Sequence, residues 1–184
     1  MNYREVLKKL GGTEENKKMD YTGFSEKLKK IEHRFHNSIP KDYVSFLQQI
    51  EKWVFTETIG IKSEEPIPVA YKNVVTVDFL NIDTILSVLN NYSGNLPDNL
   101  LPIAESEAGD LIVLDLSTKN NGKIYYWYHE HDSSNNGLYF LAENFNEFIK
   151  KLSIVPESDV STDDVHIVWE SDDFLKMLKN RRNT

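Results

Sequence analysis

The stretch that decides the fold runs from residue 102 to residue 152. It contains GDLIVLDL at residues 109–116 and, after a turn ending in Asn121-Gly122, IYYWYHE at residues 124–130. Apolar, β-branched and aromatic runs separated by Asn-Gly are typical of a hairpin, because these two residues accept the positive φ values of a tight turn. A third strand is predicted over Leu138 to Leu141. This part of the chain should therefore form a β-meander.

A helix is predicted directly after the meander. It begins near Glu143 and places Phe145, Phe148, Ile149 and Leu152 on one side. Apolar residues at this spacing form a stripe that must be buried, and the helix should pack across the sheet.

Four further amphipathic helices are predicted in the first half of the chain. A proline-led segment, residues 39–42, opens the third of them, with Pro40 in its first turn. Gly11-Gly12 should stop the first helix, a polar joint should follow over Thr13 to Asp20, and Val74 to Val77 should form a strand. The four apolar stripes are Tyr3/Val6/Leu7/Leu10, Phe24/Leu28/Ile31/Phe35, Tyr43/Phe46/Leu47/Ile50 and Ile82/Ile85/Leu86/Leu89.

The order of these elements indicates an α+β domain with a mainly antiparallel sheet. Runs of helices and runs of strands occur without β-α-β alternation. With 184 residues and 40% hydrophobic residues, one domain with a substantial core is expected. We place the domain at residues 1–155. Residues 156–184 are predicted to be an acidic linker, a short strand at Val165 to Trp169 and a C-terminal amphipathic helix that docks on the same domain.

Composition excludes several kinds of chemistry. The chain has no cysteine, so disulfides, thiolate metal sites and cysteine nucleophiles are impossible. The N-terminus lacks a continuous apolar run, and no stretch reaches the roughly 20 apolar residues of a membrane span. We therefore expect a cytoplasmic protein with no membrane partner.

The charge distribution favours a basic partner. The formal net charge is −8, residues 156–173 carry seven acids and no Lys or Arg, and the last eleven residues carry four Lys or Arg and no acid. An acidic body does not suit a phosphate backbone, whose binding depends on protein cations. No direct contact with nucleic acid is expected, although acidity also serves simply to keep a protein soluble.

His129 and His131, two residues apart, are a candidate for metal chemistry. With Glu130 and Asp132 they could in principle contribute to a zinc site, but the other histidines lie far off in sequence. The chain also has no glycine-rich phosphate loop and no nucleophile elbow. We predict no metal, no cofactor and no catalysis; a small metal-dependent enzyme is the alternative.

The aromatic run Tyr125 to Tyr128 puts rings on both faces of one strand, because successive side chains alternate. Most of this run is expected to pack in the core. Any ring left facing outward would suit a protein interface, where Tyr and Trp commonly anchor binding.

The order of motifs resembles the SUKH superfamily, the Smi/Knr-like proteins, over about residues 24 to 152. The matching pieces are IPKDYVSFL at 39–47, PIA at 102–104, GDLIVLD at 109–115, IYYW with His129-Glu130, and LAENFNEF at 141–148. The resemblance implies a SUKH-like α+β fold. It also implies a bacterial immunity protein that neutralises a cognate polymorphic toxin, often a nuclease, by non-catalytic binding.

If a basic toxin domain is the partner, acidic loops beside the meander are the expected contacts. A regulatory or scaffolding interaction module without a toxin partner remains the alternative function. The predicted partner-binding residues are Glu64, Glu65, Glu105, Glu107, Tyr128, Glu130 and Asp132.

Overall fold

The computed structural model describes residues 1–14, 21–50, 53–67, 70–92, 94–106, 109–131 and 136–156. Within these ranges the helices and antiparallel sheets confirm the predicted α+β class. The predicted C-terminal strand and helix lie outside the described residues. The helices are α1 Tyr3–Lys9, α2 Tyr21–Phe35, α3 Lys41–Gln49, α4 Ile82–Asn91 and α5 Phe145–Lys151. The strands are β1 Gly12–Glu14, β2 Trp53–Phe55, β3 Ile59–Lys62, β4 Val74–Thr76, β5 Asp78–Phe79, β6 Leu100–Glu105, β7 Leu111–Asp115, β8 Ile124–Trp127, β9 Leu138–Ala142 and β10 Ser153–Ile154.

The predicted meander forms most of a five-stranded antiparallel sheet. Its strand order is β5-β6-β7-β8-β9, and every residue of β7 is buried. The β7–β8 turn ends as predicted, since Gly122 has a φ of 96° and donates its N–H to the Asp115 carbonyl at 2.9 Å.

Strand β6 was not predicted, because Pro102 argues against a strand inside a sheet. Proline has no N–H to give to a neighbouring strand. The structure accommodates it with a shift in register between Pro102 and Ala104 where β6 pairs with β7. Such a bulge leaves the ladder intact on both sides of the irregular position.

The predicted strand at Val74 to Val77 connects two sheets. Strand β4 pairs with β3 in a three-stranded sheet of order β10-β3-β4, and β5 then pairs with β6 in the central sheet. The Val77 N–H donates to the Ile59 carbonyl at 3.0 Å between these two pairings. One extended segment therefore joins the smaller sheet to the meander.

The polar joint predicted after α1 begins with a strand instead. Strand β1 pairs with β2, and a Cβ on Gly12 would lie 2.7 Å from the Phe55 ring and 2.8 Å from the Trp53 ring. Gly12 is thus required for close approach of the two strands, while Gly11, with a φ of 78°, follows the end of α1.

Caps determine where the other predicted helices begin. Asn81 accepts hydrogen bonds from the N–H groups of Asp83 and Thr84 at the start of α4, and Asn144 accepts one from Glu147 at the start of α5. Pro40 precedes α3 as its N-cap rather than lying within the first turn.

The apolar stripes of α1, α3 and α5 meet in an aromatic cluster beside the sheet. Phe46 and Phe145 have ring centroids 4.8 Å apart, and Tyr3 contacts both rings. The Tyr3 hydroxyl donates a hydrogen bond to either the Asp42 carbonyl or Asn146 Oδ1, each 2.9 Å away. Burial, with the nearby charge of Asp42, raises the pKa of Tyr3 to about 12.

Candidate functional site

Two connections lie at the same end of the central sheet. Glu105 at the end of β6 pairs with Leu111 at the start of β7, and Leu111 pairs in turn with Trp127 at the end of β8. Trp127 also pairs with Leu138 at the start of β9. Antiparallel pairing therefore places the β6–β7 and β8–β9 connections side by side.

Asp110 is the polar centre of this end. Its side chain is buried, with the residue 2% exposed, and its carboxylate accepts hydrogen bonds from the Tyr126 hydroxyl and from the backbone N–H of His129. The His129 ring nitrogen Nδ1 lies 2.6 Å from Asp110 Oδ1. A buried carboxylate requires several donors, and these tie the β6–β7 connection to the end of β8.

The same connection is closed by two further hydrogen bonds. The Ser106 N–H donates to the Asp110 carbonyl at 2.9 Å, and the Tyr92 hydroxyl donates to the Gly109 carbonyl at 2.8 Å. The contact between Asp110 and His129 could not be recognised from the sequence, because the two residues meet only when β7 and β8 pair.

His129 is positioned by its contact with Asp110. Its other ring nitrogen, Nε2, lies 3.9 Å from Glu130 Oε1, and the His131 ring packs edge-on against Trp127. Among the described residues, no group of three His, Cys, Asp or Glu side chains could hold a metal ion. Asp132 lies outside those residues.

Three of the predicted partner-binding residues lie at this end of the sheet. Glu105 and Glu130 are exposed, and the Tyr128 hydroxyl is 3.4 Å from Glu130 Oε2. Partial desolvation and the charge of Glu130, to which the hydroxyl donates, raise the pKa of Tyr128. Glu107 and Asp132 belong to the two connections and lie outside the described residues.

Glu64 and Glu65 lie at a different place. Glu65 Oε2 accepts a hydrogen bond from the Phe140 N–H at 3.1 Å on the outer strand β9, and Glu64 Oε1 is 3.3 Å from Lys151 Nζ. Three strand spacings of roughly 4.8 Å separate β6 from β9, or about 14 Å. The structure therefore divides the predicted acids into two groups. It also gives Glu65 a role that was not predicted, because its carboxylate accepts a hydrogen bond from a backbone N–H of an edge strand.

The aromatic run of β8 lies mainly in the core. Tyr126 and Trp127 are 3% and 1% exposed, whereas Tyr125 and Tyr128 are half-buried. Tyr125 packs edge-on against Phe140 of β9. The outward-facing aromatic surface is thus limited to parts of Tyr125 and Tyr128.

An acidic cleft beside the smaller sheet was not predicted. Its volume is about 500 Å³, and it is bordered by β2, by the segment joining β4 to β5 and by the end of β6. It combines buried or half-buried apolar side chains with exposed carboxylates. The residues that define it here are Trp53, Phe55, Val77, Glu57, Asp78 and Glu105.

The cleft could not be predicted because its carboxylates come from distant parts of the chain. Glu57 follows β2, Asp78 opens β5 and Glu105 ends β6. Asp78 and Glu105 are register partners across β5 and β6, which places two carboxylates on neighbouring strands. Because the pairing of β5 with β6 was not predicted, the sequence could not show that these two carboxylates are neighbours.

Fold and site together define an antiparallel α+β protein with acidic loops and an acidic cleft. Residues 23–151 match the SMI1 / KNR4 family (SUKH-1), and the chain belongs to that family. It is also similar to the SPbeta prophage-derived uncharacterized protein YokK of Bacillus subtilis (strain 168). The two are 27% identical over 169 residues, covering 82% of this chain and 86% of the relative.

The described helices show no membrane-spanning segment. None of them is both long enough and apolar enough to cross a bilayer.

Proposed function

We propose that this protein is an immunity protein that binds and neutralises a cognate toxin carrying a basic nuclease domain. The observation that carries this proposal is membership of the SMI1 / KNR4 family (SUKH-1) across residues 23–151. The family suggests a protein partner such as a toxin. The similarity to a prophage-derived protein is compatible with that role.

Binding alone is sufficient for such an inhibitor, and no catalytic step is proposed. A surface that covers the toxin's active cleft blocks it without chemistry. The net charge of −8 favours encounter with a basic domain, since electrostatic steering raises association rates by about 10 to 1,000-fold. Asp110 supports this surface, because its hydrogen bonds tie the β6–β7 connection to the end of β8.

The proposed contact surface is the end of the sheet that carries Glu105, Tyr128 and Glu130. Glu107 and Asp132 belong to the connections at this end and are included in the proposal. Glu64 and Glu65, which contact Lys151 and the outer strand β9, would form its rim. A standard interface of about 800 Å² on each partner is large enough to reach both groups.

The first experiment identifies the partner and tests protection. The full-length protein is used as bait in an extract of the native host, captured proteins are identified by mass spectrometry, and each is expressed with and without this chain. A captured protein that stops growth alone and is harmless with this chain supports the proposal. Capture of a regulatory protein without toxicity would favour the scaffolding alternative instead.

The second experiment tests the surface. Changing Glu105, Glu107 and Asp132 to Lys should slow association with the toxin and reduce protection, while the melting temperature changes little because exposed charges contribute little to folding. The matched control changes Glu5, Glu26 and Asp98 to Lys. It makes the same charge change at exposed positions of α1, of α2 and of the loop before β6.

The two triple variants separate local contact from overall charge. If both slow association equally, net charge alone steers the encounter. If the Glu105, Glu107 and Asp132 variant binds with unchanged rate and salt dependence, the acidic surface is wrong. The half-buried aromatic surface around Tyr128 then becomes the better candidate.

A further inference from the structure

Among the described residues that line the acidic cleft, three are acids and none is Lys or Arg. Within the described part of the chain, Glu57, Asp78 and Glu105 form no ion pair. Exposed Val54, at 45%, adds apolar surface to the same cleft. Its chemistry therefore suits a segment that carries both cations and apolar side chains.

The smaller cavity next to the cleft extends the same surface. It has a volume of about 200 Å³ and shares Trp53, Asp78 and Glu105 with the cleft. It continues to Phe79 and Thr84, at the start of α4. Together the two concavities are long enough to take a short stretch of chain rather than a single side chain.

The chain leaves the described domain at the rim of this cleft. The Val155 N–H donates to the carbonyl of Thr58 at 2.8 Å, and Thr58 lines the cleft. Val155 itself is 6% exposed, so the exit point is anchored. Residues 157–184 therefore start next to the acidic cleft.

The sequence beyond this point contains a segment of the required chemistry. Residues 174–184 carry Lys176, Lys179, Arg181 and Arg182 with no acid, and they include Phe174, Leu175 and Leu178. The preceding segment, residues 157–173, carries seven acids and no Lys or Arg, so its charge does not complement the cleft. Only the last eleven residues match the cleft in charge.

We propose that residues 174–184 occupy the acidic cleft of their own chain. Because both partners belong to one chain, this is an intramolecular event, and short tethers give effective concentrations on the order of millimolar. Weak complementarity is then enough to populate the docked state. A peptide from another protein that carries both cations and apolar side chains would compete for the same site.

The experiment uses the full-length protein and a spin label at one position. Because the chain has no cysteine, Asn183→Cys gives a unique attachment site near the C-terminus. Docking should broaden the amide signals of Val54, Thr58 and Asp78 in NMR spectra. Reducing the label should restore them.

Charge reversal tests whether the cleft is the docking site. Glu57→Lys with Asp78→Lys should abolish the broadening, as should Lys176→Glu with Lys179→Glu. Combining the four changes pairs two acids of the tail with two lysines of the cleft and should restore part of the broadening, because Arg181 and Arg182 keep their charge. The matched control, Glu5→Lys with Glu26→Lys, changes the net charge equally on α1 and α2 and should leave the broadening intact.

Several results would overturn the proposal. These are no broadening in the wild-type sequence, broadening that survives reversal of Glu57 and Asp78, or broadening between separate chains when spin-labelled and isotopically labelled copies are mixed. The last result would make a second copy the occupant. Should the reversed cleft variant fail to fold, Glu57→Gln with Asp78→Asn provides the same test, with partial loss of broadening expected. Glu105 belongs to both the cleft and the proposed toxin surface. The variants of this test leave Glu105 unchanged, so the test can fail while the proposed function stands.

Discussion

Asp110 is the residue on which one end of the central sheet depends, the end with the β6–β7 and β8–β9 connections. Its carboxylate is buried there. It lies between two connections that carry the proposed contact residues, and its donors come from β8 and the residues after it. Two tyrosines allow its contribution to be measured. Tyr126 donates its hydroxyl hydrogen to Asp110, whereas the buried hydroxyl of Tyr43 has no hydrogen-bond partner among the described residues.

Tyr126→Phe should lower the free energy of unfolding by about 1–3 kcal/mol, because it leaves a buried charged acceptor with one donor fewer. Tyr43→Phe removes a hydroxyl that is buried without a partner, so it should leave stability unchanged or raise it by about 1 kcal/mol. Urea unfolding of both variants measures these changes. Equal destabilisation by the two would show that ring packing, and not the hydrogen bond to Asp110, explains the loss.

Asp115 should make the protein sensitive to acid. Burial alone would raise the pKa of its carboxyl. Hydrogen bonds from the Ser117 N–H at 2.7 Å, Asn99 Nδ2 at 2.8 Å and Asn120 Nδ2 at 3.1 Å outweigh burial and bring the pKa below its ordinary value of 3.8. A carboxylate with a lowered pKa stabilises the fold at higher pH, and this contribution is lost as the pH falls through the folded-state pKa.

Asp115→Asn tests this sensitivity. The variant should be less stable than the wild type at neutral pH, and the difference in melting temperature should shrink as the pH is lowered below about 4. Thermal melts at a series of pH values measure it. A difference that stays constant down to the most acidic pH would mean that the ionised carboxylate is not the stabilising species.

At the scale of elements, Gly60 sets the spacing of the three-stranded sheet. It is the register partner of Ser153 in β10 and of Thr76 in β4. A Cβ at this position would lie 2.7 Å from Val155 Cγ2 and 2.7 Å from the Val75 carbonyl oxygen. Backbone on one side and a buried side chain on the other leave no room for a methyl group.

Gly60→Ala should therefore cost about 1–3 kcal/mol of stability through overpacking. Introducing it together with Val155→Ala removes one of the two clashes. The second substitution should then make the glycine change less costly, though not free. Denaturant unfolding of the two single variants and the double variant gives the coupling, and strict additivity would show that Val155 does not restrict this site.

At the scale of the whole molecule, we predict which residue is the last that the fold requires. Strand β10 pairs with β3, and Val155 is buried beside it. A chain ending at Pro156 should unfold cooperatively with a melting temperature within a few degrees of the full-length value. A chain ending at Leu152 should be clearly less stable, because burying a valine contributes about 1.5–3 kcal/mol.

Calorimetry of both truncations and the full-length chain tests this boundary. Loss of cooperative unfolding in the chain that ends at Pro156 would show that residues 157–184 complete the core. Equal stability of the two truncations would show instead that β10 contributes little.

Short-range sequence patterns were sufficient to predict the helices and the meander. The spacing of Phe145, Phe148 and Ile149 requires a helix with one buried face, and Asn121-Gly122 specifies a hairpin turn; both are confirmed. These signals are local, since each depends on residues within a few positions of one another. The family resemblance was equally readable, because it rests on the order of such segments.

The sequence by itself determined the α+β class, most helix positions and an acidic surface. The tertiary structure decided what those residues contact. Only tertiary contacts bring Asp110 to His129, Asp78 to Glu105, and Glu65 to the edge of β9. The physical reason is that periodicity reports which face of an element is buried, whereas the identity of a partner across the sheet depends on register and on bulges such as the one at Pro102.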